Sequence, residues 1–262
     1  MASRCGVVRG TDSSARAPLP DIAPTDTMLP TLATAEPPMG TMIELVARDG
    51  HRLSAWRADP VGTPKGGLVV VQEIFGLNEH IRAVTDGFAA AGWLAIAPAL
   101  FDRTGRGIEL GYDPDGIAKG REIAFGQPQD AALADVAAAI DEARRLTGTA
   151  AVVGYCWGGT LAWLAATRLG ADAAVGYYGG GIAKAAAETP RAPVMLHFGE
   201  TDHAIPMSDV EAIRAAQPGI PVHVYPAGHG FNCSARGSFH APSAELALKR
   251  TLAYLDATVA GA

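Results

Sequence analysis

Cysteine is scarce in this chain. Its three residues, Cys5, Cys156 and Cys233, form an odd set with no paired CxxC spacing. That excludes a disulfide framework and the common CxxC zinc patterns. Free thiols in a reducing cytosol are the expectation that follows. Long apolar runs are missing as well: no stretch reaches the roughly 18 residues that a membrane span requires. Nor is there an excess of basic residues. Lys and Arg number 21 against 27 Asp and Glu, a net charge of −6, whereas binders of nucleic acid or anionic membrane need the opposite balance. Neither kind of partner is expected.

What remains is ample for one core. The chain has 262 residues, 48% of them hydrophobic, and α/β domains of this length are often undivided. Residues 1–41 stand apart. They are rich in Pro, Thr, Ala and Ser, have no hydrophobic period, and are expected to be disordered or loosely draped. A translation start at Met28, Met39 or Met42 would remove most of them. They lack the continuous apolar segment of a signal peptide. Asp12, Asp21, Asp26 and the prolines argue against a transit peptide despite Arg4, Arg9 and Arg16. Residues 42–262 are expected to form a single domain.

Within that domain the hydrophobic period alternates between two values. Ile43-Glu44-Leu45-Val46 and Leu53-Ser54-Ala55-Trp56, separated by Asp49-Gly50, read as an antiparallel hairpin. Gly67-Leu68-Val69-Val70-Val71 is continuously apolar, as a strand buried on both faces must be. Ile81, Val84, Phe88 and Ala91 have helical spacing, stopped by Gly92. A second buried strand, Trp93-Leu94-Ala95-Ile96-Ala97, ends at Pro98. Residues 101–128, rich in Gly, Asp and Arg, read as irregular. A long helix is expected over residues 130–146, and strand Ala150-Ala151-Val152-Val153 follows. A helix over residues 157–169 comes next, then strands at residues 173–177, 194–198 and 222–225, with a helix at residues 210–216 and a closing helix over residues 243–255. Alternating strands and helices imply a mostly parallel sheet covered on both faces, with chemistry beyond the carboxyl ends of its strands.

At one such end lies Gly154-Tyr155-Cys156-Trp157-Gly158. The pattern is Gly-x-nucleophile-x-Gly between strand and helix, with Cys in place of the usual Ser. The central residue of this turn is forced into a strained conformation that thrusts its side chain into the cleft. Side chains at the glycine positions would collide. The helix N-terminus behind it favours thiolate over thiol. The bland alternative is a buried, inert cysteine.

A nucleophile of this kind predicts an acid and then a histidine, in that chain order. Asp202 follows the strand at residues 194–198, and His229 follows the strand at residues 222–225. Both therefore fall on the same sheet edge as Cys156. His229 would exchange a proton with the thiol and then with the leaving group, and Asp202 would fix its tautomer. Glu200 competes for the acid role. His197, His203 and His223 are read as packing or surface residues. With no compact motif such as HExxH, no metal site is expected.

These residues, together with Gln72-Glu73-Ile74-Phe75-Gly76, Gly176-Tyr177-Tyr178-Gly179, Asp202-His203 and Gly228-His229, resemble the dienelactone hydrolase (carboxymethylenebutenolidase) family. The likeness spans about residues 42–255. It implies an α/β-hydrolase fold with no large cap domain, a Cys156–His229–Asp202 triad and no cofactor. It also implies Glu73 as a fourth participant, and an oxyanion hole of the Ile74 and Trp157 backbone N–H groups. The expected partner is a small ester or lactone. Two resting states are open: a Cys156 thiolate paired with a His229 imidazolium, or a neutral thiol held by Glu73 until substrate arrives. The resemblance favours the second.

The resemblance breaks at one position. Known members hold the substrate carboxylate with arginines, one of them four residues after the catalytic histidine. That position here is Cys233, which lacks the bidentate charge. Arg236, Arg103 and Arg121 are the candidates to replace it, and Phe75 and Tyr178 the candidate apolar walls. A lactone or activated-ester hydrolase is the leading expectation, a broader carboxylesterase or thioesterase the second, and a non-catalytic binder the third.

Overall fold

The computed structural model describes residues 39–260. The expectation of a disordered extension over residues 1–41 falls largely outside them. Eight strands form one sheet: β1 (Thr41–Val46), β2 (Arg52–Ala58), β3 (Gly67–Val71), β4 (Leu94–Pro98), β5 (Ala150–Tyr155), β6 (Ala173–Tyr177), β7 (Val194–Gly199) and β8 (Val222–Tyr225). Their spatial order is β1-β2-β4-β3-β5-β6-β7-β8. β1 pairs antiparallel with β2, as the hairpin reading expected, and β2 also pairs antiparallel with β4. All other pairs are parallel. Every residue of β3 to β7 is buried, which is why these segments are uniformly apolar rather than alternating.

The helices are α1 (Glu79–Ala90), α2 (Pro114–Gly126), α3 (Gln129–Thr147), α4 (Trp157–Leu164), α5 (Ile182–Ala185), α6 (Met207–Ala216) and α7 (Ala241–Thr258). α1 begins where Asn78 accepts the Ile81 N–H, an ordinary side-chain cap. α3 ends at Gly148 in the left-handed region. The last turn of the expected helix at residues 157–169 widens into a π-helical turn, Ala165–Leu169. Among the described residues no helix is long and apolar enough to cross a membrane.

One reading fails. Residues 101–128 are not irregular throughout, because α2 occupies half of them. Its glycines concealed it, since glycine is a poor helix former. Tertiary packing reverses that penalty at Gly120: a Cβ there would stand 1.9 Å from the Ile74 carbonyl oxygen. The Asp113 side chain caps α2 by accepting the Gly116 N–H at 2.7 Å, with Pro114 in the first turn. α2 thus lies directly on the segment that follows β3.

β3 is also where the strand order turns. The chain runs from β3 outward to β4, then crosses back to β5 on the other side of β3. The crevice at such a switch point, outside the carboxyl ends, is where open α/β sheets bind ligands. Here those two ends carry Glu73 and Cys156.

Candidate active site

Cys156 follows β5 directly and caps α4 with φ 55° and ψ −116°. A positive φ is strained for a residue with a Cβ, and it must be held in place by its surroundings. The surroundings are tight. A Cβ on Gly154 would meet the Gly158 carbonyl oxygen at 1.9 Å. One on Gly158 would meet the Val71 and Gln72 carbonyl oxygens at 2.4 and 2.5 Å. The turn is therefore clamped between its own helix and the end of β3. Cys156 stays partly exposed in this wall of buried residues.

The three residues anticipated as a triad meet. His229 Nε2 lies 3.1 Å from Cys156 Sγ, and His229 Nδ1 lies 2.8 Å from Asp202 Oδ2. The other Asp202 oxygen accepts the Ala204 and Ile205 N–H groups, so the carboxylate cannot swing away. Glu200 is exposed and stands aside. Burial opposes charge on His229, but the bonds to Asp202 and Cys156 outweigh it and raise its pKa to about 10. Tyr178, itself at φ 37°, sets its ring edgewise 5.1 Å from the imidazole.

Glu73 makes no hydrogen bond to Cys156. Its Oε1 accepts from Arg236 Nη1 at 3.1 Å, and Oε2 has no hydrogen-bond partner among the described residues. Burial raises the Glu73 pKa, with Arg236 and His229 pulling the other way. The Glu73–thiol hydrogen bond that the resemblance favoured is not formed in this structure. The thiol faces the imidazole.

Of the three candidate arginines, only Arg236 joins this cluster, packed 5.5 Å over the Phe75 ring. Arg103 forms a two-pronged pair with Asp135 at 2.7 and 2.8 Å and a further bond to Asp49. Asp135 is fully buried, and an unpaired carboxylate there would be costly, so the guanidinium is held by the scaffold. Arg121 is exposed and stacks on Phe125. Phe75 packs against Tyr112, with ring centroids 4.5 Å apart. Ile74 lies in the turn under α2, and Trp157 opens α4, where N–H groups have no acceptor within the helix. His197 is a core residue bonded to Tyr225 and Thr251, and His223 stacks on it.

Sequence reasoning missed one grouping. Glu73, His80 and Cys233 bring an oxygen, a nitrogen and a sulfur within 4.8 Å of one another. Glu73 and His80 share one short stretch, but Cys233 is far along the chain, so no local spacing could signal the three together. Burial, with help from Arg236, lowers the His80 pKa to about 4. Two surface clefts, of about 360 and 450 Å³, share Glu109 as a wall, and His80 lines the larger. Neither is lined by Cys156, Asp202 or His229.

Comparison with known proteins shows which family the chain belongs to. A family model described as the dienelactone hydrolase family matches residues 53–259. A carboxymethylenebutenolidase of Pseudomonas putida is 35% identical over 81% of this chain and 94% of its own length. One from Cupriavidus pinatubonensis is 34% identical over 81% and 95%. A crystal structure from Klebsiella pneumoniae, described as a "Putative Dienelactone Hydrolase", superposes with a TM-score of 0.71 at 31% identity, covering 82% of this chain and 98% of that one.

Proposed function

Because this chain belongs to the dienelactone hydrolase family, we propose that it hydrolyses a lactone or activated carboxylic ester through an acyl-cysteine intermediate on Cys156. The observation that carries this reading is the unbroken line from Asp202 through His229 to Cys156 Sγ, at 2.8 and 3.1 Å.

In the first step His229 takes the Cys156 thiol proton, the sulfur forms a bond to the acyl carbon, and the carbonyl π electrons move onto oxygen. Two fixed donors, the Ile74 and Trp157 N–H groups, stabilise that oxyanion. Such a pair contributes on the order of several kcal/mol at the transition state. Collapse breaks the acyl–oxygen bond, and His229, raised to about pKa 10, supplies the proton to the departing oxygen. Water, deprotonated by the same imidazole, then attacks the thioester and returns the thiol. Thiolate is itself a good leaving group, so this sequence suits reactive enol esters better than amides.

Arg236 takes the place of the arginine missing at position 233 and receives a carboxylate on the substrate. Support comes from its position, which pairs it with Glu73 and leaves its charge within reach of Cys156. Glu73, released when a substrate carboxylate competes for Arg236, is the group that responds to binding. Cys233 itself favours a second reading, a broader esterase acting on neutral esters, because it is buried and carries no charge for a carboxylate. The free thiols of Cys156 and Cys233 support residence in a reducing cytosol.

The test is intact-mass detection of the acyl-enzyme after mixing with an enol-lactone, beside Cys156→Ala. Full activity in that variant would overturn the nucleophile. Equal rates on a dienelactone and a neutral aryl ester would favour the broader esterase.

A further inference from the structure

We propose that Glu73, His80 and Cys233 form a binding site for one divalent transition-metal ion of zinc-like preference, and that metal held there restrains hydrolysis at Cys156. The ligand atoms are a carboxylate oxygen, an imidazole nitrogen and a thiol sulfur within 4.8 Å of one another. That donor set suits Zn²⁺ and excludes Mg²⁺ and Ca²⁺, which require oxygen.

Two independent features point at a ligand. Glu73 is 1% exposed, and its Oε2 has no hydrogen-bond partner among the described residues. His80 Nε2 is likewise buried and unpartnered. Interiors rarely leave such atoms unsatisfied, and here both belong to one cluster. Arg236 occupies Oε1 alone, so the second carboxylate oxygen is free to coordinate while the ion pair persists. The distances are close to those needed. With bonds of about 2.0–2.3 Å, tetrahedral zinc ligands stand roughly 3.3–3.8 Å apart, so closure asks about 1 Å of side-chain movement.

The cluster borders a cleft at His80. The cleft of about 450 Å³ is walled by His80, Asn78, Tyr112 and Ser234. His80 is the one proposed ligand on that wall, so an ion would reach Glu73 and Cys233 past its imidazole, with water from the cleft as a fourth ligand. Binding forms one bond each to oxygen, nitrogen and sulfur, and the Cys233 thiol gives its proton to solvent. His80 is already neutral at neutral pH and has none to give.

The effect on turnover follows from Glu73. Metal on Oε2 fixes a carboxylate that substrate must otherwise free, and it places positive charge beside Arg236. That consequence rests on the proposed hydrolytic reading, whereas the site itself does not.

The experiment is zinc affinity of the full-length protein, measured by competition with a chromophoric chelator, for wild type, Cys233→Ser, His80→Gln and Cys156→Ala. One equivalent is expected in wild type and in Cys156→Ala, with affinity reduced at least about tenfold in the other two. Cobalt substituted for zinc should give thiolate charge-transfer absorption that vanishes in Cys233→Ser alone among the two cysteine variants. Metal-free thermal unfolding establishes that each variant is folded, and zinc should raise the wild-type midpoint. No stoichiometric binding in wild type would overturn the site. So would loss of binding in Cys156→Ala with retention in Cys233→Ser and His80→Gln, because the ion would then sit on the catalytic pair. Zinc inhibition of ester turnover, relieved in Cys233→Ser, tests the restraint. Binding without inhibition would overturn the restraint and leave the site standing.

Discussion

Arg236 Nη1 donates to Glu73 Oε1 at 3.1 Å across 163 residues of sequence. The carboxylate is 2% exposed and the guanidinium 17%. Each charge depends on the other more than a surface pair would.

Arg236→Gln should therefore destabilise the fold by about 1–3 kcal/mol, since it leaves a buried carboxylate uncompensated. Adding Glu73→Gln should recover part of the loss, giving a favourable coupling in a double-mutant cycle followed by urea unfolding. Additive losses would mean that the pair contributes nothing as a pair.

Arg103→Gln separates scaffold from site. With its fork on fully buried Asp135, the substitution should cost about 3–5 kcal/mol of stability. KM for a carboxylate-bearing lactone should stay unchanged at a temperature where the variant is folded. A raised KM would return Arg103 to the substrate contacts.

Gly158→Ala tests the clamp on the nucleophile. The new methyl would stand 2.4 Å from the Val71 carbonyl oxygen, too close for van der Waals contact. Overpacking of this kind costs about 1–3 kcal/mol, and the shift should move Cys156 relative to the donors on the β3 side. kcat should fall more steeply than unfolding stability predicts. Wild-type kcat would show that the turn has slack.

The pH dependence has a definite sign. His229 is raised from 6.5 to about 10. Its contribution to stability is complete below about pH 6.5 and is lost as pH rises toward about 10. The difference in thermal stability between wild type and His229→Gln should shrink over that window. A difference that grows with pH would contradict the assignment of charge.

Much of the fold was legible because buried parallel strands have nowhere to place polar residues. β3, β4, β5 and β7 announce themselves as apolar runs. α2 did not, because its helical signal lies in a cap and a proline, while Gly116 and Gly120 serve close approach to Gly111 and Ile74 rather than helix formation. The triad was legible for a related reason. The order of elements places Cys156, Asp202 and His229 after three strand ends, and parallel strands present all such ends on one edge.

Arginines were harder, since a long flexible side chain can reach several partners from one backbone position. Arg103, Arg121 and Arg236 look alike in the chain. Only the folded protein shows the first held by Asp135, the second stacked on Phe125 and the third against Glu73.

The sequence by itself determined the sheet, the strained cysteine turn and the order of the catalytic groups, because these follow from local period and from backbone space that only glycine leaves open. Tertiary structure alone decided that Glu73 pairs with Arg236, and that a carboxylate oxygen of Glu73 comes within 4.8 Å of His80 and Cys233. Arg236 and Cys233 reach Glu73 from far along the chain, and such approaches are set by burial and packing, not by spacing.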